Sequence, residues 1–446
     1  MLWQCAFAAL LALALVRVSS WSGPESLEDC SAALAVLPDR GAVLAGYSLG
    51  RETDYEFTVV FFDSAGELRR ANRLGSPLNS EDRAWCVAAD SLGRVVAAGG
   101  TIADRAASWD FFWAAYAPDG ETLWTRRLDF LTGREDRLAA LAQGPGGDIF
   151  LAGRSRPRPD TARTGWDLAL VRADESGDTV WTRLLDWGGN EQADALAADR
   201  AGNSYVTGRA AGPGAGSTIL VASWDREGRK RWTRSIGGRE RGSALAGGIL
   251  LDTEERPVVW GAVQGERTGF DYLVAVLDTC GAVRWQDRRD GEGSVDMALA
   301  AAVDAAGNVV VTGSSAGRAT SLDILTVKYS PAGETLWTRR WNGPANSDDR
   351  GWCVATGPDG SLYVAGTSVG AGGMEELVVL TYDAGGGLAG SYRWEGGEAR
   401  PVGMAWDRDR LLVAGHGRVA DGSRGFLLYA GAQAAPFGFP VVGPGR

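Results

Sequence analysis

Several residue types are scarce in this sequence, and each scarcity excludes a class of function. His416 is the single histidine among 446 residues, so a zinc site built from several histidines is excluded and a histidine-based catalytic triad has one candidate base. Lysine occurs only at positions 230 and 328, and the formal net charge is −11. Because such a chain repels phosphate backbones, we expect no nucleic-acid partner.

The long apolar run of the sequence lies near its beginning. Residues 5–16 read CAFAALLALALV, which is too short to span a bilayer, and the small residues VSS follow at 18–20. This pattern predicts a signal peptide over residues 1–20, cleavage near Ser20, and export to the periplasm, the cell surface or the medium without a membrane span. Residues 1–4 carry no basic side chain, which leaves an uncleaved membrane anchor as the alternative.

The rest of the chain is an internal repeat. The octet GETLWTRR occurs at residues 120–127 and again at 333–340. Eight short apolar runs each end in a glycine, and successive glycines are 49 to 55 residues apart. A period of this length is the signature of a repeat architecture. The eight landmark glycines are Gly46, Gly99, Gly153, Gly208, Gly261, Gly313, Gly366 and Gly415.

Each repeat predicts four short strands. In residues 294–345, the segments MALAAAVD, VVVTG, DILTVKYS and TLWTRRW are apolar or alternating, and turn sequences separate them. Eight such units predict an all-β protein, a β-propeller of eight four-stranded antiparallel blades, with seven blades as the alternative. We assign residues 26–446 to one propeller domain and expect its last strand near residues 437–442, weakened by Pro436 and Pro440. The units are 26–79, 80–133, 134–189, 190–238, 239–293, 294–345, 346–397 and 398–446.

Tryptophan recurs at one position of the repeat. A Gly-x-x-x-Trp pattern opens the fourth strand of five units. The glycine suits a hairpin turn, and the ring four residues later can lie across the next blade. We therefore interpret these rings as blade-packing residues, with carbohydrate stacking as the alternative. They are Trp124, Trp181, Trp232, Trp285 and Trp337.

Two cysteines share a repeat position, Cys86 in RAWCVA and Cys353 in RGWCVA. They fall in units two and seven, so their Cα atoms should lie beyond the reach of about 7 Å that a disulfide allows. We predict buried thiols at both positions and an exposed thiol at Cys280, which lies in a hairpin turn.

The sequences SVDMALAAAVDAAGNVVVTGSS and YSPAGETLWTRRWNG resemble the units of the bacterial β-propeller repeat family called SBBP. The resemblance covers nearly the whole chain after residue 25 and is weakest in the first and last units. It implies an exported or envelope protein without common catalytic residues, usually of seven blades. The Gly-to-Trp hairpin also resembles the docking motif of quinoproteins and outer-membrane-assembly propellers, although no two cysteines are adjacent here.

An acidic residue stands seventeen positions before seven of the eight landmark glycines, and Ala244 stands before the other. This acidic column leads into the first strand of each unit, where blade-joining loops approach the central channel. One interpretation is that each carboxylate accepts backbone N–H groups and pins adjacent blades. The other is an acidic collar at the channel mouth that attracts cations or an Arg/Lys-rich partner. The column consists of Asp29, Asp82, Asp136, Glu191, Asp296, Asp349 and Glu398.

Loops on the same face differ from unit to unit. Residues 153–166 are basic, with Arg154, Arg156, Arg158 and Arg163, whereas residues 366–375 are rich in glycine. Variable loops on a rigid repeated scaffold usually carry binding specificity. Runs of the form Asp-x-x-Gly are expected as turns, with bound calcium as the alternative, and no other cofactor is predicted.

These patterns favour an exported, non-catalytic binding or scaffold protein. Its ligand, a protein or a glycan, would bind at the channel-mouth face of a monomeric propeller. The alternative is a propeller enzyme acting on polysaccharide, a lyase or hydrolase, which needs two carboxylates with perturbed pKa values at a functional separation. A quinoprotein-like or outer-membrane-assembly function rests on the single hairpin resemblance.

Overall fold

The computed structural model describes residues 11–21, 29–50, 54–76, 80–102, 108–131, 133–156, 165–211, 216–237, 242–265, 269–318, 320–370, 372–394, 397–419 and 422–434. Within these ranges the chain forms eight four-stranded antiparallel sheets. The innermost strand of each sheet contacts those of both neighbouring sheets, so the sheets close into a ring. The prediction of an eight-bladed β-propeller is confirmed, and the seven-bladed alternative is wrong.

The strands are numbered in chain order, beginning with β1 (Leu11–Trp21). Blades one and two contain β2 (Asp29–Val36), β3 (Ala42–Leu49), β4 (Tyr55–Phe62) and β5 (Leu68–Leu74), then β6 (Asp82–Ala89), β7 (Val95–Thr101), β8 (Asp110–Tyr116) and β9 (Thr122–Leu128). Blades three and four contain β10 (Asp136–Gln143), β11 (Ile149–Ser155), β12 (Asp167–Ala173) and β13 (Thr179–Leu185), then β14 (Asn190–Ala198), β15 (Ser204–Ala211), β16 (Ser217–Trp224) and β17 (Lys230–Ile236). A short 3-10 turn, Pro145–Gly147, connects β10 to β11.

The second half of the ring follows the same plan. Blades five and six contain β18 (Ala244–Leu251), β19 (Pro257–Gln264), β20 (Phe270–Leu277) and β21 (Val283–Arg289), then β22 (Asp296–Val303), β23 (Val309–Ala316), β24 (Leu322–Tyr329) and β25 (Thr335–Trp341). Blade seven contains β26 (Asp349–Thr356), β27 (Leu362–Val369), β28 (Glu375–Tyr382) and β29 (Leu388–Arg393), and blade eight contains β30 (Glu398–Asp407), β31 (Arg410–Val419) and β32 (Gly422–Ala434). The sheets of blades one to seven each lie within one unit of the sequence repeat.

The core lies between consecutive blades. The middle strands are buried on both faces, as in β23, where every residue is buried, because a blade is enclosed by its two neighbours. The fourth strands alternate between exposed and partly buried residues, as in β25. Apolar clusters therefore combine two blades: Val274 of blade five packs in one cluster with Val311 and Val327 of blade six. This arrangement explains the near-continuous apolar second strands of the repeat.

The landmark glycines mark a bulge between the first and second strands. In blade six the register shifts between Ala298 and Ala300, opposite Gly313. A Cβ atom placed on Gly313 would lie 1.9 Å from the carbonyl oxygen of Met297. A side chain of any size would overlap this backbone, so the position requires glycine. The same close approach, at 1.8 to 2.3 Å, occurs at Gly46, Gly99, Gly153, Gly208, Gly261 and Gly366.

The eighth blade contains a strand from the other end of the chain. Its sheet order is β1-β32-β31-β30, and β1 pairs antiparallel with β32 from Leu11 opposite Ala434 to Trp21 opposite Gly425. This differs from the signal-peptide prediction over residues 1–20, because Leu11–Trp21 supplies the ladder partners for the outer edge of β32. Residues 1–10 and the closing strand expected at Pro436 and Pro440 lie outside the described residues. Within the described ranges, the chain has no helix with enough length and apolar character to cross a membrane.

Candidate functional site at the channel mouth

The acidic column lies at the joints between blades. Each member with a buried side chain is the first or, for Glu191, the second residue of the first strand of its blade, beside the loop that arrives from the preceding blade. Because these carboxylates are enclosed, they do not face shared solvent, and their placement favours the pinning interpretation over the collar. Glu398 is the exposed member. The buried members, each at most 3% exposed, are Asp29, Asp82, Asp136, Glu191, Asp296 and Asp349.

The hydrogen bonds of the buried acids fasten the blade-joining loops. In blade six, Gly291 N–H donates to Asp296 Oδ2 at 2.7 Å, and Ala316 N–H donates to Oδ1 at 3.2 Å. One carboxylate thus joins the entering loop to the end of the second strand. The corresponding loop donors are Ser76 for Asp82 at 2.5 Å, Phe130 for Asp136 at 2.8 Å, Gly189 for Glu191 at 3.0 Å and Gly343 for Asp349 at 2.6 Å.

Where Ala244 replaces the acid of the column, a serine hydroxyl joins the two blades instead. Ser217 opens β16 in blade four, and its hydroxyl donates to the carbonyl oxygen of Ala244 at 3.0 Å. The same hydroxyl accepts from Ala244 N–H at 2.9 Å. The joint between blades four and five therefore keeps two bridging hydrogen bonds without a carboxylate.

An acid and an arginine of the preceding blade adjoin most of these joints, and neither was among the residues predicted from the sequence. The acid lies near the start of the third strand, and the arginine follows it by seventeen residues on the fourth strand. The last letter of the repeated octet, Arg127 or Arg340, is one such arginine, so the octet itself carried the signal. The pairs and their N–O distances are Arg73–Glu56 at 2.7 Å, Arg127–Asp110 at 2.6 Å, Arg288–Asp271 at 2.6 Å, Arg340–Asp323 at 3.0 Å and Arg393–Glu376 at 2.8 Å.

Burial shifts the acid–base behaviour of the column. Desolvation raises the pKa of Asp136 to about 7, and the neighbouring carboxylates of Asp129 and Asp110 act in the same direction. Burial likewise raises the pKa of Asp82, Asp296 and Asp349. A catalytic acid must reach its substrate, and Asp136 is 0% exposed. The perturbed carboxylates of the column therefore belong to the joints and do not line an accessible catalytic site.

Among the residues that the structure describes, three joints gather carboxylates closely enough to be considered as cation sites. Within each group, one oxygen of every acid lies within 4.8 Å of the others. In two groups an arginine already binds one member, since Arg127 pairs with Asp110 and Arg288 pairs with Asp271. Each group brings an acid of the column together with two acids of the preceding blade, because the joint between blades repeats around the ring. The groups are Asp110 with Asp129 and Asp136, Asp167 with Asp186 and Glu191, and Asp271 with Asp290 and Asp296.

The Asp-x-x-Gly turns, where calcium was the alternative, use their carboxylates within the turn. Asp304 Oδ1 accepts from Ala306 N–H and from Asn308 N–H, both at 2.9 Å. Asp304 Oδ2 lies 2.9 Å from Lys328 Nζ. Asp278 accepts in the same way from the N–H groups two and four residues later. The carboxylates thus shape the hairpins that connect the strands.

The tryptophan column lies between consecutive blades. Trp181 covers Gly228 of blade four, where a Cβ atom would lie 2.9 Å from the indole, and its Nε1–H donates to the Arg226 carbonyl at 2.9 Å. Arg183 donates to the Gly228 carbonyl at 2.6 Å. The Trp-Thr-Arg sequence therefore makes two hydrogen bonds to the hairpin of the next blade, one from Trp181 and one from Arg183. Gly228 has φ of +78°, a second reason for glycine there. The equivalent contacts are Trp124 with Gly177, Trp232 with Gly281, Trp285 with Gly333 and Trp337 with Gly386.

Cys86, Cys353 and the single histidine lie in surroundings that do not favour a reactive role. Cys86, Cys280 and Cys353 are free, and Cys280 is exposed as predicted, whereas Cys86 and Cys353 are half-buried residues and not the fully buried ones that we expected. Burial raises the pKa of both Cys86 and Cys353 to about 12, which disfavours their reactive thiolates. His416 lies in β31 with Nδ1 3.2 Å from the Ser31 carbonyl oxygen, so it bridges blade eight to blade one.

A cavity of about 530 Å³ opens at the channel mouth where the first strands of blades two, three and four begin. We call it the arginine–tryptophan cavity. Its polar wall comes from the starts of β6, β10 and β14 and from the ends of β11 and β15. The lining residues are Glu81, Arg83, Trp85, Trp109, Arg137, Leu138, Ala139, Arg154, Gln192, Ala193, Asp194 and Arg209.

The cavity is locally cationic on an acidic protein. Four arginines and two acids line it, whereas the whole chain carries a net charge of −11. Arg83 and Arg209 each pair with a lining acid, at 3.1 Å to Glu81 and 3.4 Å to Asp194. Arg137 pairs with Glu135, beside the lining, at 2.5 Å. The excess positive charge of the lining is therefore that of Arg154, which favours an anion there.

Arg154 is the lining cation with the fewest anionic contacts. Within the described part of the chain, its guanidinium has no carboxylate within 4.0 Å. It donates to the Gln192 side-chain oxygen at 2.8 Å and stacks over Trp166, with Cζ 4.3 Å from the ring centroid. Burial lowers the pKa of Arg154, and the nearby charge of Arg137 acts in the same direction. An anion bound beside Arg154 would stabilise its charged form and so offset both the burial and the repulsion from Arg137.

Two indole rings, tilted relative to each other, form an apolar wall beside these arginines. Trp85 and Trp109 have ring centroids 5.4 Å apart and an interplanar angle of 41°. Both rings lie against the backbone at Gly100, where a Cβ atom would come within 2.6 Å of Trp109 and 2.8 Å of Trp85. Glycine at position 100 therefore leaves the space that both rings occupy against this backbone.

The variable basic loop reaches the same sector. Arg156 stacks on Trp166, with Cζ 4.6 Å from the centroid, and lies 3.8 Å from Glu135. Arg158 and Arg163 lie outside the described residues. A smaller aromatic–arginine contact occurs across the ring, where Arg400 Cζ lies 3.8 Å from the centroid of Trp352. The sequence analysis named the basic loop but not the tryptophans of the wall, because Trp85 and Trp109 stand outside the repeated tryptophan column.

Comparisons with known proteins address the fold. No protein-family description matches the sequence, and no curated protein matches it either. The structure is similar to that of Sqt1 from Chaetomium thermophilum, at a TM-score of 0.58 and 12% identity over 95% of this chain and 100% of that one. It also matches the β-propeller domain of the Trilobed protease from Pyrococcus furiosus (TM-score 0.43, 10% identity, 79% and 95% coverage) and the WD40 domain of SCAP from fission yeast (0.44, 8%, 95% and 98%). The likeness to Sqt1 shows the propeller fold alone.

Proposed function

We propose that this protein is an exported, non-catalytic binding protein of the SBBP-like repeat type, acting as a monomer in the periplasm, at the cell surface or in the medium. Its ligand, a protein or a glycan, binds in the arginine–tryptophan cavity. The single observation that supports this proposal most is the cavity itself, about 530 Å³ in volume and lined by four arginines and two tryptophans. Cavities of this size with a few convergent polar groups are the usual form of ligand sites.

Export and ring closure involve the same residues. The apolar composition of residues 5–16 supports export, whereas the pairing of β1 with β32 uses Leu11–Trp21 in blade eight. A signal peptide removed near Ser20 would take most of β1 with it. Determination of the first residue of the protein, purified from its natural compartment, separates these two fates.

The rival function is that of an enzyme acting on polysaccharide. Such an enzyme requires two accessible carboxylates with different roles. Glu81 and Asp194 line the cavity, but each lies within 3.4 Å of an arginine nitrogen, and Asp194 also accepts from the Gln192 side chain at 2.6 Å. Burial raises the pKa of Asp194, and the charge of Arg209 opposes this shift. Both carboxylates are thus engaged by neighbouring side chains of the lining. The binding function needs no such pair, so the lining is better suited to recognition than to acid–base catalysis.

The experiment is a binding screen of the full chain against glycan and peptide arrays, with a matched pair of variants. Arg154→Gln removes one charge from the cavity. Arg200→Gln removes one charge from the opposite end of blade four, in a turn where Arg200 is 89% exposed at its side chain. We expect the array signals to fall in Arg154→Gln and to persist in Arg200→Gln. Equal signals for both variants, or release of reducing ends from a polysaccharide hit, would contradict the proposal.

A further inference from the structure

The chemistry of the cavity narrows its ligand, and this inference rests on the proposed binding function. Trp85 and Trp109 present a fixed apolar wall, and Arg154 presents a guanidinium without a close carboxylate among the described residues. A complementary ligand therefore has a flat or gently puckered ring with an apolar face and carries an anionic group at the ring edge. Guanidinium groups bind carboxylates through two parallel hydrogen bonds, which adds geometric selectivity to charge.

We infer that the arginine–tryptophan cavity binds a uronate-containing glycan, with a sugar ring against Trp85 and Trp109 and its carboxylate on Arg154. The C–H face of a pyranose ring is apolar, and the hydroxyl groups at its edge can bond Gln192 and Asp194, which already bond each other at 2.6 Å. A uronate therefore uses the wall, the cation and the polar edge of the cavity together. A peptide of acidic residues alone, such as an oligoglutamate, uses the cations but offers no ring for the wall.

The packing around the wall strengthens this assignment. Both indoles are held against Gly100, which pairs with Arg83 across β6 and β7. Arg83 is in turn held over two rings of blade one, with Cζ 4.7 Å from the Tyr47 centroid and 4.3 Å from that of Tyr55. A preorganised aromatic surface binds a rigid ring with little loss of side-chain entropy. The volume of about 530 Å³ leaves room for more than one sugar ring, so we expect an oligosaccharide to bind better than a monosaccharide.

The test is titration calorimetry of the full chain with three probes: an oligogalacturonate, a neutral glucan oligosaccharide of equal length and an oligoglutamate of similar charge. We expect the oligogalacturonate to bind most tightly, with affinity that falls between about 20 mM and about 300 mM salt because ion pairs are screened. Arg154→Gln, Trp109→Ala and Gly100→Ala should each weaken it by about tenfold or more, whereas Arg200→Gln should leave it within about twofold. Gly100→Ala is informative because it displaces the wall without changing charge.

The outcomes separate the inference from the proposed function. If the glucan or the oligoglutamate binds as tightly as the oligogalacturonate, or if Trp109→Ala and Gly100→Ala bind like the unchanged protein while Arg154→Gln does not, the uronate assignment is overturned and the binding site stands. If none of the probes binds and the array hits of the unchanged chain are equally retained by Arg154→Gln, both the assignment and the proposed site are overturned. Circular dichroism and thermal unfolding of each variant verify that lost binding is not lost folding.

Discussion

The joints between blades and the channel mouth are built from the same repeat, but they differ in what varies around the ring. At the joints, the same residue types recur, a buried acid, a tryptophan and an arginine, because every blade meets an almost identical neighbour. At the mouth, the residue that follows the column position is Arg83, Arg137, Gln192, Leu245 or Met297 in blades two to six, and the column position itself is Ala244 in blade five. Positions constrained by a repeated neighbour keep their chemistry, whereas positions that face the channel are free to diverge and so carry specificity.

The largest expected effect tests the packing side of this comparison. Trp181 is 9% exposed and lies between blades three and four, so Trp181→Ala should lower the free energy of unfolding by about 3–5 kcal/mol, since the cavity left behind cannot fully collapse. Guanidinium denaturation measures this. Trp187→Ala is the matched control, because Trp187 is 44% exposed and should tolerate the change within about 0.5 kcal/mol. Similar losses in both variants would remove the distinction between joint and surface tryptophans.

A smaller loss of stability is expected when a buried carboxylate of the acidic column is removed. Asp296→Ala leaves the N–H groups of Gly291 and Ala316 without their acceptor, which should cost about 1–3 kcal/mol at any salt concentration, because local hydrogen bonds are weakly screened. Glu398→Ala, at the exposed member of the column, should change stability by less than about 0.5 kcal/mol. Denaturation at low and high salt measures both. A stabilised Asp296→Ala variant would favour mutual repulsion in a collar instead.

The smallest expected effect concerns pH. The pKa of Asp136 is about 7 in the folded protein against an ordinary value of 3.8, so the folded state binds more protons between these values and stability should fall as pH rises through that window. Asp136→Asn keeps an acceptor for Phe130 N–H and removes the titration. The loss of stability between pH 6 and pH 8 should therefore be shallower in the variant, by on the order of 1 kcal/mol in total.

Parallel pH profiles for the unchanged protein and Asp136→Asn would show that Asp136 does not titrate in this window. The control is Asp63→Asn, in a surface hairpin where the carboxylate accepts from Ala65 N–H at 2.9 Å. This variant should keep the pH dependence of the unchanged protein. Asp82, Asp296 and Asp349 also have raised pKa values, so part of the slope should remain in Asp136→Asn.

The repeat made much of the fold predictable. Landmark glycines at regular spacing identified eight blades, because a bulge at each of them brings a carbonyl where a side chain would be, as at Gly313. The octet has contacts that its sequence did not predict. Its tryptophan and first arginine contact the hairpin of the next blade, and its last arginine pairs with Asp110 or Asp323. The sequence analysis could not pair these residues, because the partner lies seventeen residues earlier on a neighbouring strand.

The sequence by itself determined the periodicity, the strand pattern and the positions that every blade shares, since these depend on local spacing and on neighbours that repeat. Only the tertiary structure decided which side chains from different blades meet. It enclosed the acidic column in the joints, gathered Trp85, Trp109, Arg137 and Arg154 from blades two and three into one cavity, and placed Leu11–Trp21 beside β32. The physical reason is that a ring brings together residues far apart in sequence, and no local pattern encodes the register between them.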